Sequence, residues 1–244
     1  MLNKRHLFRT ARNSSRGGFT LVELLVVIGI IAILAGVALG PITAGIKKAQ
    51  QSSGVQLAHA IGLGLYSFAN DNQQTYPDGG SPGVPSGGGY AQNATAAVIP
   101  LVSGGYVTDP TIFHLSSGTA IKFTGNASNI ATIAATNISW DFGGNGGNGL
   151  NSSSYQFLPI LWSSVVGGTE PTLSGGNSQN TLISAVPAAT NPYGTAGMVV
   201  FYINNSSTFV TAQLLGGTLQ VPMVKTTDNP GGGPSTASVL QGGG

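Results

Sequence analysis

The chain has no cysteine, which removes disulfide bridging and thiolate metal ligation together. Charge is nearly as scarce: 7% of the 244 residues are Asp, Glu, Lys or Arg, and 3 are His. An enzyme needs convergent titratable groups, yet His6, His59 and His114 are far apart in the chain and the acids are scattered. Catalysis and a histidine-based metal site are therefore not expected, and His59 and His114 read as structural residues. Trp140 and Trp162, beside strand-like residues, read as core. Glycine is abundant, 38 residues, and a chain so poor in charge must draw its solubility from Ser, Thr, Asn and backbone amide. Such a composition suits short strands and many turns.

The few charges are unevenly placed. Lys4, Arg5, Arg9, Arg12 and Arg16 fall within the first 18 residues, and the next cations are Lys47 and Lys48, then Lys122 and Lys225. The formal charge of +2 and the pI near 9.0 thus belong to residues 1–18. Without them, four cations face seven acids for a net charge of −3, which gives no support to nucleic-acid binding. After the basic leader, Phe19 to Leu39 is apolar except for Thr20 and Glu23; at 1.5 Å per residue it reaches roughly 30 Å, the thickness of bilayer hydrocarbon. A secretory signal has a shorter apolar core with a small-residue site on its distal side. Here the glycine pair Gly17-Gly18 lies on the proximal side. By the positive-inside rule the leader is cytoplasmic and everything after Lys47 is on the far side.

One carboxylate inside such a segment is costly unless a cation or hydrogen bonds meet it. Gly18-Phe19-Thr20-Leu21-Val22-Glu23, with the leader before it and the apolar run after it, resembles the prepilin-type segment of the type IV pilin superfamily. That superfamily includes the pseudopilins of type II secretion. The resemblance implies that a prepilin peptidase cuts between Gly18 and Phe19, that the new amine of Phe19 is N-methylated, and that Glu23 pairs with a neighbouring subunit's amine to set axial register. Phe19 and Glu23 also stand at i and i+4, so the new amine of the same chain is a second partner for the carboxylate. Further implied partners are an inner-membrane assembly platform, identical or homologous pilin subunits, and membrane lipid before assembly.

Pro41 follows Gly40, and a kink or locally melted turn is expected from Gly36 to Pro41. Beyond it, Ile42, Ile46, Ala49, Ser53, Leu57, Ile61, Leu65 and Phe68 recur at steps of three and four, the pattern of an amphipathic helix. The helix is expected to run from Phe19 to about Asn70, ending in Asn70-Asp71-Asn72 and Tyr76-Pro77. That ending resembles the helix exit of major pseudopilins. The corresponding domains are the leader, 1–18; the transmembrane and assembly helix, 19–40; its amphipathic continuation, 41–72; a β-rich head, 73–227; and a Gly-rich disordered tail, 228–244.

The head shows apolar and β-branched runs between turn clusters: 112–115, 121–124, 130–134, 138–142, 155–161, 181–186, 198–203, 208–215 and 219–224. They are expected to form an antiparallel sheet packed on the helix stripe, giving an α+β, pilin-like fold. The plainest hairpin is Met198–Ile203, Asn204-Asn205, Ser206–Val210, because Asn tolerates positive φ. Residues 142–151 and 168–180 read as Gly/Asn/Ser loops. Major pseudopilins bind calcium through late-loop carboxylates, and here only Asp228, beside Asn229, stands in such a loop. A hard cation takes six or more oxygens, so no metal site is assigned and calcium at Asp228 stays an open expectation.

The function these features imply is a structural subunit of a type IV pilus-like filament or type II secretion pseudopilus, assembled through its N-terminal helix. The chain is then single-pass in a bacterial inner membrane, with a periplasmic or, after assembly, extracellular head. The alternative is a minor pilin or adhesin-like surface-binding protein using the same anchor.

Overall fold

A computed structural model describes residues 18–77, 94–144, 152, 156–164, 169–174, 182–222 and 238–240. Its contacts divide the chain between Ile46 and Lys47 into two units. In the first, α1 (Leu21–Asp71) begins, and every residue from Gly18 to Ile46 is exposed. The helix is continuous through Pro41, so the stretch from Gly36 to Pro41 is helical rather than melted. Proline still removes one amide donor from the ladder. The Thr43 hydroxyl donates to the Gly40 carbonyl at 2.9 Å in the same turn.

The second unit holds the rest of α1 and the head. Its helix buries Gly54, Ala58, Ile61, Gly62, Gly64, Leu65, Phe68 and Ala69. This corrects the expected stripe. Ile61, Leu65 and Phe68 are core, but Ile42, Ile46, Ala49 and Ser53 are exposed and Leu57 is half-buried. The face that docks is chosen by smallness as much as by hydrophobicity. A Cβ on Gly62 would overlap the Phe201 ring, and one on Gly54 would overlap the Tyr193 hydroxyl.

Helix α1 ends where the Asn and Asp residues begin. Asn72 donates to the Phe68 carbonyl from its amide at 3.0 Å and from its side chain at 2.8 Å. Gln73 and Gln74 then take left-handed φ values of 55° and 66°, and the Gln74 amide reaches back to the Ala69 carbonyl at 2.8 Å. Tyr106 secures this exit: its ring packs edge-on to Phe68 and its hydroxyl donates to Asp71 at 3.1 Å.

Among the described residues a short helix, α2 (Thr95–Ser103), precedes nine strands: β1 (Trp140–Gly144), β2 (Pro159–Ser163), β3 (Thr169–Ser174), β4 (Leu182–Val186), β5 (Gly197–Tyr202), β6 (Ser207–Thr211), β7 (Gln213–Leu215), β8 (Thr218–Pro222) and β9 (Ser238–Leu240). They form a five-stranded sheet, β6-β5-β2-β1-β9, and a four-stranded sheet, β3-β4-β8-β7, in which all the pairings are antiparallel. The architecture is α+β: a long apolar N-terminal helix and an antiparallel head. Strands β2 and β5 lie inside the first sheet. Met198, Val199, Val200 and Phe201 alternate between its faces yet all have no exposed surface, so the sheet is covered on both sides.

The β5–β6 hairpin forms as expected, with Val200 opposite Thr208 and Asn205 at φ 63° in the turn. Other expected strands are turns. Residues 110–113 and 127–132 are 3-10 helices, and 121–124 carries no strand. The reason lies in their first residues: Asp109 accepts from the Thr111 amide at 2.9 Å, and Asn126 accepts from the Ser128 amide at 3.0 Å. These side chains satisfy amides that a strand would have paired across a ladder. The apolar residues still reach the core, Phe113 completely and Phe123 and Ile130 nearly so. Conversely, β3 falls within the stretch read as a loop at 168–180, α2 was not expected at all, and β9 lies within the stretch read as a tail. Ala212 divides the run 208–215, donating to the Ala196 carbonyl at 3.0 Å between β6 and β7.

Candidate functional site

The residues singled out at the N-terminal segment lie together at the entrance to α1. Residues 1–17 of the leader lie outside the described residues. Gly18 is described, exposed, and in a backbone conformation open to any residue, and a Cβ there would meet nothing within 4 Å. Nothing in the fold asks for glycine at this position. Phe19, next to it, is 76% exposed.

Glu23 is met by Thr20. One carboxylate oxygen, Oε2, accepts from the Thr20 amide at 2.9 Å and from the Thr20 hydroxyl at 2.8 Å, while the Glu23 amide donates to Thr20 Oγ1 at 3.2 Å. This is a reciprocal capping box. It satisfies amides that the helix start would leave bare, and it places a negative charge at the positive end of the helix dipole. Thr20 was not among the residues identified from the sequence, although Thr-x-x-Glu ahead of an apolar run is the recognisable signal for such a cap. The arrangement uses Oε2 alone, so Oε1 remains without a hydrogen bond among the described residues. A carboxylate held in this way can receive a cation without giving up its cap.

Beyond Glu23 the helix offers only apolar and small residues until Lys47, and all of them are uncovered. Leu21 is 86% exposed, Val37 73% and Ile33 69%. Residues of this kind in a folded domain are normally buried. Here they form a helix long and apolar enough to cross a membrane.

The other residues considered are part of the head's framework. His59 packs edge-on to Phe201 with ring centroids 6.2 Å apart, and His114 Nε2 lies 3.1 Å from the Ala120 carbonyl oxygen. Trp140 and Trp162 are buried. Among the described residues, no three His, Cys, Asp or Glu side chains are grouped to hold a metal ion. Asp228 lies outside the described residues, as does Asn229.

A family model for the prokaryotic N-terminal methylation motif matches residues 13–39, spanning the end of the leader, Gly18, Phe19, Glu23 and most of the exposed apolar helix. The match defines what this end of the chain is similar to: a prepilin-type N-terminal methylation motif running into a helix long and apolar enough to cross a membrane. In particular, it carries the prepilin-type signal of type IV pilins and pseudopilins, while no family model matches its head. Comparison with curated proteins and with solved structures gave no match.

Proposed function

We propose that this chain is a structural subunit of a type IV pilus-like or type II secretion pseudopilus filament. The observation that carries the reading is the contrast at the start of α1: an uncovered apolar helix bearing one capped carboxylate, behind a processing motif, attached to a head with its own core. Lipid would cover that helix first, and the helices of neighbouring subunits would cover it after assembly.

In this reading prepilin peptidase cuts the Gly18–Phe19 bond, and the freed Phe19 amine is N-methylated. Cleavage creates a cation one helical turn from Glu23. The Thr20 cap already holds Oε2, leaving Oε1 for that amine or for the amine of an adjacent subunit. The basic leader orients the precursor with its N-terminus in the cytoplasm, and the head lies across the inner membrane. An inner-membrane assembly platform would then lift the subunit into the filament. The chemistry assigned to the chain is assembly rather than catalysis.

Mass spectrometry of the N-terminal peptide, from membranes and from material sheared off the cells, tests this directly. A methylated Phe19 terminus is expected, abundant in the sheared fraction for a surface filament and confined to the envelope for a pseudopilus or minor component. An intact Met1 terminus in cells with active prepilin peptidase would sink the proposal.

A further inference from the structure

Positive charge stands on α1 at a single place. From Leu24 to Ile46, about 23 residues and roughly 35 Å of helix, no side chain is charged; then Lys47 and Lys48 follow one another. The division between the two units falls at the same point, between Ile46 and Lys47. Both lysines are exposed, and neither has a hydrogen bond or an ion pair among the described residues. The acids on α1, Glu23 and Asp71, are many turns away, so no carboxylate on the helix neutralises the pair.

The charge-free stretch is longer than a membrane needs. Bilayer hydrocarbon is about 30 Å thick, so some 5 Å of this helix, roughly one turn, could lie on either side of the boundary with no penalty from buried charge. Apolar length alone therefore leaves the depth of the anchor undetermined by about a turn. Two lysines at the distal end remove that freedom. Adjacent residues on a helix point about 100° apart, so both stems can lie along the apolar surface while their ammonium groups reach outward to headgroup level.

We propose that Lys47 and Lys48 form a docking site for phospholipid headgroup phosphate, fixing the depth of the anchor before assembly. The inference rests on the membrane-anchored reading of α1. The partner is chosen by charge and position: the pair is cationic, no carboxylate is within reach on the helix, and the lysines directly follow the apolar run, on the side where the headgroup phosphates of a spanned bilayer would lie. Attraction of lysines to an anionic membrane surface falls off within a Debye length, so the pair acts only if it sits at that plane.

The absence of cysteine makes the test clean. A nitroxide on Gly45→Cys, where a Cβ meets nothing within 4 Å, reports depth in the full chain reconstituted in phosphatidylethanolamine–phosphatidylglycerol vesicles. Replacing both lysines (Lys47→Gln with Lys48→Gln) is expected to move the label about 5 Å towards the bilayer centre, one turn of helix. The Lys47→Arg, Lys48→Arg pair is expected to hold the original depth, and Lys122→Gln, in the head, to leave it unchanged. An unshifted label in the double Gln variant overturns the proposal while leaving the anchor reading standing. A label held at depth only once filaments have formed overturns it too, in favour of a carboxylate on a second copy. A chain that never enters the vesicles overturns the anchor reading itself, and this proposal with it.

Discussion

Two stretches of one helix have opposite fates. From Leu21 to Ile46 the residues are strongly apolar and all exposed; from Gly54 to Ala69 the apolar character is diluted by Gly, Ser, Gln and His, and eight residues are buried. Hydrophobicity therefore does not decide which part of α1 packs on its own chain. The deciding feature is shape. Gly54, Ala58 and Gly62 recur at intervals of four and lie on one face. They open a path along which Phe201, Val199 and Tyr193 approach the helix backbone. Gly29, Gly36, Gly40 and Gly45 in the first stretch have nothing within 4 Å of where a Cβ would stand. The same residue type is a contact surface in one half and leaves open space in the other.

The comparison can be broken most sharply by exchanging roles at the glycines. Gly62→Leu drives a side chain into the Phe201 ring and should destabilise the head by about 1–3 kcal/mol, the usual cost of overpacking. For a head of this size that lowers the melting temperature by about 2–4 °C per kcal/mol. Gly36→Leu should leave the melting of the head unchanged. Calorimetry of both variants in the same detergent reads the difference, and equal losses would mean that close approach to the sheet is not what sets Gly62 apart.

A smaller effect is expected at the helix entrance. Thr20→Val keeps the shape of the side chain but removes the hydroxyl that donates to Glu23 and accepts from its amide. Loss of an N-cap costs about 1 kcal/mol. Amide exchange should accelerate in the first turn, Leu21 to Leu24, and stay unchanged around Ile61 and Leu65. Faster exchange along the whole helix would show that the two stretches do not start independently.

The smallest effect belongs to the head. Asp109 caps a 3-10 turn, and hydrogen bonds from Thr111, hydroxyl first and then amide, hold its carboxyl below the ordinary range. A group depressed on folding contributes stability above its unfolded pKa, about 3.9 for Asp, and that contribution is lost as pH falls through the folded value. The melting temperature should therefore fall between about pH 5 and pH 2. In Asp109→Ala the fall should be shallower, and the variant should be less stable at pH 7 by less than about 1 kcal/mol. Parallel pH profiles for the two proteins would remove Asp109 from the account.

The first stretch was legible from the sequence because its signals are local. The basic residues 1–18, Gly18, Glu23 and the uninterrupted apolar run are each visible as residue type and spacing within about forty positions, and the methylation motif matched at residues 13–39 spans Gly18, Glu23 and most of that run. Even there, the role of Thr20 shows only in the structure, because Thr-x-x-Glu caps a helix only where the chain turns into it at that residue. In the head, strand periodicity found β5 and β6 but took 112–115 and 130–134 for strands. Short apolar runs look alike in a strand and in a turn that plugs the core, and the caps of Asp109 and Asn126 decided between them.

By itself, the sequence carried the methylation motif, the membrane-length apolar run and the α+β division of the chain, since each depends on patterns carried within a short segment. Only the tertiary structure decided which face of α1 is buried, which apolar runs pair as strands, and how the strands divide into two sheets. Those outcomes depend on partners distant in the chain: Gly62 matters because Phe201 lies against it, and no property of either residue alone reports that meeting.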